Sequence, residues 1–408
     1  MRWDELRTDD TAPDGGGQPA APALFERGAV ARSFDTPAFR SMTFFEVQAR
    51  SIINKVPDAS RMPFRWTINP YRGCSHACVY CFARKTHTYL DLDAGHDFDT
   101  KIVVKVNAPE LARKELASPR WGGEHVAMGT NVDCYQRAEG RYRLMPGILS
   151  ALRDAANPFS ILTKGTLILR DTELLQQAAD VTDVGLAVSV GCADEELWRA
   201  LEPGTPSPQR RLEVCSTLSG AGLPCGVLMG PIVPFLSDSP EQLAGTVRQI
   251  AAAGASSVTP IVLHLRTGAR EWFLSWLGEH HPELLPRYRG LYGQGAYAPR
   301  GYQRQVAERV QALAQRYHVG RGVPRRPAQE RPAARPARAP EAEGRPSGRE
   351  GKGWRGGPGG IGGPGRIGGP GRTGGPGRMG APGGMGGPVR KVPPAGQEEG
   401  APVQLELL

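Results

Sequence analysis

The chain has 408 residues, 39% hydrophobic and 22% charged, enough for one large domain or two smaller ones with a sizeable core, which excludes a small disulfide-held scaffold. Glycine and proline crowd one end: residues 321–408 hold 25 Gly and 15 Pro, too many for packed protein. The same stretch has 15 Lys and Arg against 7 Asp and Glu, so it carries +8 of the net charge of +9 and leaves a nearly neutral front that gives no case for a basic nucleic-acid-binding domain.

Residues 1–43 are polar and broken by Pro13, Gly15, Gly16, Gly17, Pro19, Pro22 and Gly28, and they read as a loosely ordered arm. Their first ten residues set Arg2 and Arg7 among Asp4, Glu5, Asp9 and Asp10, unlike a secretory signal, and no apolar run nears the roughly 18 residues of a membrane span. With seven scattered cysteines, an odd number, the expectation is a cytoplasmic protein with free or metal-bound thiols and no membrane partner.

Residues 44–320 alternate β-branched runs with helical stretches. In chain order the pattern predicts strands at 66–69 and 102–106, a helix at 109–116, a strand at 125–129 and a helix at 145–155. Strands at 159–163, 184–190, 224–229 and 257–263 then alternate with helices at 171–179, 208–220 and 240–254, and a helix at 302–317 follows. Ser239 is placed as an N-cap, with Pro240 in the first turn and Gly254 where a C-terminal glycine belongs. The recurrence of strand–helix units predicts an α/β fold, a partial (βα)6-type barrel with a C-terminal helical extension. Trp272, Phe273, Trp276 and Leu277 follow helical spacing and read as a packing face.

Residues 321–408 read as a disordered, basic, low-complexity tail. Pro358, Pro364, Pro370, Pro376, Pro382 and Pro388 recur every six residues, a period that is not collagen's. Its arginines suit either a solvated tail without a specific role or a weak, salt-sensitive contact with nucleic acid.

The chemistry concentrates where the first predicted strand ends, in Asn69-Pro70-Tyr71-Arg72-Gly73-Cys74-Ser75-His76-Ala77-Cys78-Val79-Tyr80-Cys81-Phe82. Three thiols at spacings of four and three can converge on one metal centre. A structural zinc site wants four ligands, and no second Cys-x-x-Cys occurs; His76 is the one nearby candidate for a fourth. Three thiolates suit a [4Fe-4S] cluster with one iron left open.

Cys74-x3-Cys78-x2-Cys81, with Tyr80 before the last cysteine, resembles the signature of the radical S-adenosylmethionine superfamily. Passages including Pro70-Tyr71-Arg72-Gly73-Cys74, Met128-Gly129-Thr130-Asn131-Val132-Asp133-Cys134-Tyr135-Gln136, Leu162-Thr163-Lys164 and Val188-Ser189-Val190 resemble the branch related to spore photoproduct lyase. The resemblance implies a [4Fe-4S] cluster held by Cys74, Cys78 and Cys81, and S-adenosylmethionine on the open iron. It further implies reductive cleavage to a 5'-deoxyadenosyl radical, hydrogen abstraction from a substrate that includes nucleobases or nucleic-acid lesions among its candidates, and an electron donor such as flavodoxin or ferredoxin.

Within that frame Tyr80, Gly129, Thr130, Asp133, Lys164 and Ser189 are candidate cofactor-binding residues. Gly129 and Thr130 end a strand and are placed for the methionyl group, with Asp133 for its ammonium; an ordinary turn is the alternative. Lys164 leaves a strand end where it can meet the cofactor carboxylate or simply reach solvent. Ser189 is placed for the ribose, or for a backbone carbonyl. Cys134 is the candidate hydrogen donor, while Cys192, Cys215 and Cys225 read as core. Phe82 stands where the lyase branch can carry a tyrosine. His264 at the last strand end and the pair Glu202 and Arg211 are further candidates. The alternative function is a non-catalytic iron–sulfur or zinc protein that works through its basic tail.

Overall fold

The computed structural model describes residues 29–57, 60 and 62–321; the tail over 322–408, and the arm over 1–28, lie outside the described residues. Strands β1 (Val30–Arg32), β2 (Thr43–Val47), β3 (Ile53–Lys55), β4 (Trp66–Ile68) and β5 (Tyr71–Arg72) come first. A 3₁₀ stretch, Phe82–Leu90, and α1 (His96–Thr100) lead to β6 (Lys101–Lys105) and α2 (Ala108–Leu116). Then follow β7 (Val126–Met128), α3 (Arg137–Tyr142), α4 (Leu144–Asp154), β8 (Phe159–Thr163), α5 (Thr172–Ala179), β9 (Val184–Ser189), α6 (Glu195–Leu201) and α7 (Pro208–Gly220). The chain continues through β10 (Cys225–Ile232), α8 (Pro240–Ala252), β11 (Val258–Val262), α9 (Ala269–His280), α10 (Leu285–Tyr292) and α11 (Arg300–Arg316).

The larger sheet runs β11-β10-β9-β8-β7-β4-β3. Its first six strands are parallel and β3 is an antiparallel edge. β8 and β9 are apolar runs covered on both faces, as a parallel sheet between helices requires. The result is an α/β partial barrel of six parallel strands, open between β3 and β11, whose loops at the strands' C-terminal ends share one rim. Ser239 caps α8 by accepting from the Gln242 amide at 3.2 Å, and Gly254 takes a φ of +69° past its end. Among the described residues no helix is long and apolar enough to cross a membrane.

Two expectations need correction. The strand predicted at 102–106 is β6, and it belongs to a second sheet, β1-β2-β6-β5, in which Phe44 pairs with Ile102 and Phe45 with Val103. An apolar run marks a buried strand without saying which sheet it joins; here β2, almost 60 residues earlier, decides. One face of this sheet (Phe44, Ile102, Val104) packs into the main core, and the other (Phe45, Val47, Val103) closes a small core with Leu90 and Leu92. Part of the expected arm also belongs to the fold, because β1 pairs with β2 and Pro37–Phe39 forms a 3₁₀ turn. In α9, Phe273, Trp276 and Leu277 are buried as predicted, whereas Trp272 is 37% exposed and lies over Arg84.

Candidate functional site

β4 and β5 deliver the chain to the C-terminal rim, and β5 is fixed by pairing with β6 just before Cys74. The loop that follows buries Cys74 and Cys78 and half-buries Cys81. It is braced from several elements. The Cys74 amide donates to Phe98 O at 2.9 Å, and the Val79 amide to Leu201 O at 3.0 Å. Gln136 spans the loop's entry, donating to Gly73 O at 2.9 Å and accepting from the Ser75 amide at 3.0 Å. Gly204 packs so closely that a Cβ there would lie 2.1 Å from Ser75 O, and its amide donates to His76 O at 3.1 Å.

Beside the loop lies a buried polar network. Tyr80 donates its hydroxyl to Glu202, and Arg211 donates to Glu202, to Ser189 O at 2.7 Å and to Pro206 O at 3.0 Å. Lys164 Nζ donates to Ser189 Oγ at 2.9 Å and sits 5.9 Å from the centre of the Tyr80 ring; Ser189 passes its own proton to Gly230 O at 2.9 Å. Burial alone would push the Glu202 carboxyl up, but Arg211, Lys164 and the Tyr80 hydroxyl outweigh it and hold it below the usual carboxylate range. Glu202 and Arg211, further candidates in the sequence, are a buried pair with side chains 6% and 1% exposed.

The structure brings Tyr80, Lys164 and Ser189 together, and Asp133 adjoins them through the Lys164 amide. The Asp133 carboxylate accepts from the Tyr135 amide at 2.8 Å, Thr163 Oγ1 at 2.7 Å and the Lys164 amide at 2.6 Å, and lies 3.4 Å from His76 Nδ1. With these partners it ties the β7 and β8 rim loops to the cysteine loop. Burial pulls His76 down to about 4, and Asp133 only partly opposes this, so its ring is neutral at pH 7. Gly129 adopts φ +76° at the end of β7, where a Cβ would lie 1.8 Å from Leu162 O; Thr130 next to it is half-buried.

Cys134 is fully buried, and burial first, then the charges of Asp133, Glu139 and Asp171, raise its thiol well above the usual range. It borders a second network that sequence reasoning did not identify. Tyr71 donates to Glu139 at 2.5 Å, and Arg170 donates to Glu139 at 2.6 Å and to Asp171 at 2.8 Å. Glu139 also accepts the Leu144 and Met145 amides, and Tyr135 donates to Asp171 at 3.0 Å. Here burial prevails over Arg170 and Tyr71, and the Glu139 carboxyl is raised.

Of the remaining candidates, His264 contacts Tyr297, ring centres 4.6 Å apart, and burial followed by Arg266 lowers it to about 4. Phe82 is 42% exposed under Arg266. Cys192, Cys215 and Cys225 are buried. A cavity of about 250 Å³ is lined by residues that include His76, Tyr135, Arg137, Thr166 and Thr205, but not Lys164 or Ser189. Arg84 was missed as well: three residues past Cys81 and fully buried, it donates twice to the carbonyl of Cys78. Gln136 ended a passage already singled out, which was its only signal.

Residues 68–249 match the family model of the Radical SAM superfamily. The chain is 52% identical over 300 residues to the uncharacterized protein Rv2578c of Mycobacterium tuberculosis (strain ATCC 25618 / H37Rv), covering 74% of this chain and 88% of that protein. Uncharacterized protein MJ0683 of Methanocaldococcus jannaschii is 30% identical over 195 residues, 47% of this chain and 69% of that one. Among solved structures, spore photoproduct lyase complexed with dinucleoside spore photoproduct superposes with a TM-score of 0.50 at 16% identity, over 68% of this chain and 80% of that one, a likeness of fold.

The residues present fit the metal group that this family implies. Burial raises all three thiols, Cys78 to about 12, so as free side chains they stay protonated. Bound metal ions reverse that preference, and Lys164 and Arg211 near Cys78, with Arg84 near Cys81, add positive charge toward the same end. Among the described residues no group of three or more His, Cys, Asp or Glu side chains is placed to hold a single metal ion. A cluster asks less of the loop, since each thiolate meets its own iron.

Proposed function

Because the chain belongs to the radical SAM superfamily, we propose that it is a radical enzyme in which Cys74, Cys78 and Cys81 hold a [4Fe-4S] cluster, S-adenosylmethionine takes the iron without a protein ligand, and a hydrogen atom is abstracted from substrate. The observation that carries this reading is one braced loop that brings three thiols to the C-terminal rim of parallel strands, with Lys164 and its partner Ser189 close enough for its charge to act on Cys78 and Cys81. The chemistry supplied by such a cluster with its cofactor is one-electron cleavage of the sulfonium to methionine and a 5'-deoxyadenosyl radical. The chain's own residues bind and orient. Lys164 uses one N–H on Ser189 and presents its charge to the cofactor carboxylate, Ser189 is assigned to the ribose, and Gly129 and Thr130 to the methionyl group.

Asp133 acts by holding the rim loops that carry these groups, since the protein already supplies it with three hydrogen bonds. Burial first, and then the neighbouring carboxylates, favour the S–H form of Cys134, the form a hydrogen donor needs. A modified nucleobase is the substrate class we assign, supported by the fold likeness to a lyase solved with a dinucleoside spore photoproduct. A flavodoxin or ferredoxin is the electron donor. The test is anaerobic reconstitution with iron and sulfide, reduction with dithionite, addition of S-adenosylmethionine and assay of 5'-deoxyadenosine beside Cys78→Ala. Formation in the parent alone is the expected result; a well-loaded parent that forms none overturns the reading.

A further inference from the structure

Arg84 is one of the largest fully buried side chains of the molecule, and it ties the cysteine loop to the segment that follows it. Nε and Nη2 donate to Cys78 O at 3.1 and 3.0 Å; Nη1 donates to Gly95 O at 2.9 Å and Ala94 O at 3.2 Å. Nη2 also meets both oxygens of Asp99 at 2.9 and 3.0 Å. The guanidinium lies 5.2 Å from the centre of the Phe98 ring and 4.8 Å from that of Trp272. Phe98 O in turn accepts the Cys74 amide, so one cation organises the backbone next to two of the three cysteines.

Burying a guanidinium is expensive unless it is paired and hydrogen-bonded, and Arg84 meets that requirement with Asp99 and three backbone carbonyls, one of them inside the cysteine loop. The Cys78 carbonyl already accepts the Cys81 amide at 3.2 Å, and Arg84 adds two further donors to it. Asp99, whose side chain is 16% exposed, neutralises the cation from the more solvated side. The positive charge of Arg84 therefore acts on the loop at low dielectric, where the Cys81 thiol already feels it, while the opposing charge is better screened.

Resting on the reading of Cys74, Cys78 and Cys81 as ligands of a [4Fe-4S] cluster, we propose that Arg84 is a positioning residue that also sets the ease of reducing that cluster. Its fork holds the Cys78 carbonyl in place, and its charge, offset in part by Asp99, favours the reduced form. One electron enters on reduction, the core going from 2+ to 1+ with no bond made or broken. A nearby fixed positive charge stabilises the more negative product, and a fixed negative charge does the reverse.

The test is a dithionite titration followed by electron paramagnetic resonance on reconstituted full-length protein at pH 8, comparing the parent with Arg84→Gln, Arg84→Lys and Asp99→Asn. Arg84→Gln should lower the ratio of reduced to oxidised cluster at a fixed potential by about tenfold, equal to about 59 mV for a one-electron couple. Asp99→Asn should shift it in the opposite sense, and Arg84→Lys, which keeps charge but not the fork, should stay nearer the parent than Arg84→Gln. A merely structural arginine would not move two variants in opposite directions. All variants titrating with the parent, or Arg84→Gln and Asp99→Asn shifting the same way, overturns the inference. If Arg84→Gln fails to fold, Asp99→Asn and Arg84→Lys decide. A parent that takes up no iron and sulfide defeats the functional reading itself, which iron and sulfide analysis shows before any titration.

Discussion

Two Tyr–Glu–Arg triads, each built on a buried carboxylate, lie at the rim of this barrel, and they differ in what completes them. Tyr80–Glu202–Arg211 is joined by Lys164, giving one carboxylate to two cations. Tyr71–Glu139–Arg170 is joined by Asp171, giving two carboxylates to one cation. The carboxyl pKa values move accordingly: Glu202 falls despite its burial, while Glu139, in which burial prevails, rises. A buried surplus of positive charge is costly unless an anion arrives. The first triad, with its extra cation on the half-buried Lys164, is the one that the proposed function assigns to the cofactor, and the second, with Glu139 accepting two side-chain donors and two amides, is closed on itself.

Breaking the closed triad should have the largest effect on stability. Glu139→Leu strands the Tyr71 hydroxyl and two amides and leaves Arg170 with Asp171 as its carboxylate, and should lower unfolding free energy by about 3–5 kcal/mol, read by denaturant melts. In the open triad, Lys164→Met should change stability by less than about 1 kcal/mol yet weaken S-adenosylmethionine binding by about 10- to 100-fold, measured by anaerobic titration of the reconstituted protein. If Lys164→Met unfolds the protein as readily as Glu139→Leu, the contrast between the triads is lost.

Smaller effects sharpen the contrast at a distance from it. His264, buried and beside Arg266, titrates near 4 in the folded chain against about 6.5 unfolded, so the unfolded state binds more protons between those values. Its stabilisation is present above about pH 6.5 and is lost as pH falls to about 4, on the order of 2 kcal/mol. The difference between the parent and His264→Gln stability curves should narrow over that window; parallel curves would show that His264 titrates alike in both states. Smallest is Ser239→Ala, which removes the α8 cap and should lower stability by about 1 kcal/mol without touching cofactor affinity.

The parts legible in the sequence are those with a local signature. Ser239, Pro240 and Gly254 mark α8 because caps are chosen within a few residues, and β8 and β9 show as apolar runs because both of their faces are covered. The three cysteines, Lys164 and Ser189 stood out because thiols at fixed spacing, or a polar group in an apolar run, need a reason. Glu139 and Arg84 had no such signal, since a charged residue in a helix or turn reads as solvated until tertiary packing buries it. The smaller sheet was hidden for a related reason: β1 and β5 have three and two residues, and β6 shows its apolar character without its partner. Cys134 was visible as a residue, and its closeness to the second triad emerged only from the fold.

The most direct test of the open triad is the response of the reduced cluster's electron paramagnetic resonance spectrum to S-adenosylmethionine in the parent, Lys164→Met and Glu139→Gln proteins. The account predicts a new spectrum in the parent, a need for at least tenfold more cofactor in Lys164→Met, and a parent-like midpoint in Glu139→Gln. A parent spectrum that S-adenosylmethionine leaves unchanged, or equal midpoints in the parent and Lys164→Met, would contradict it.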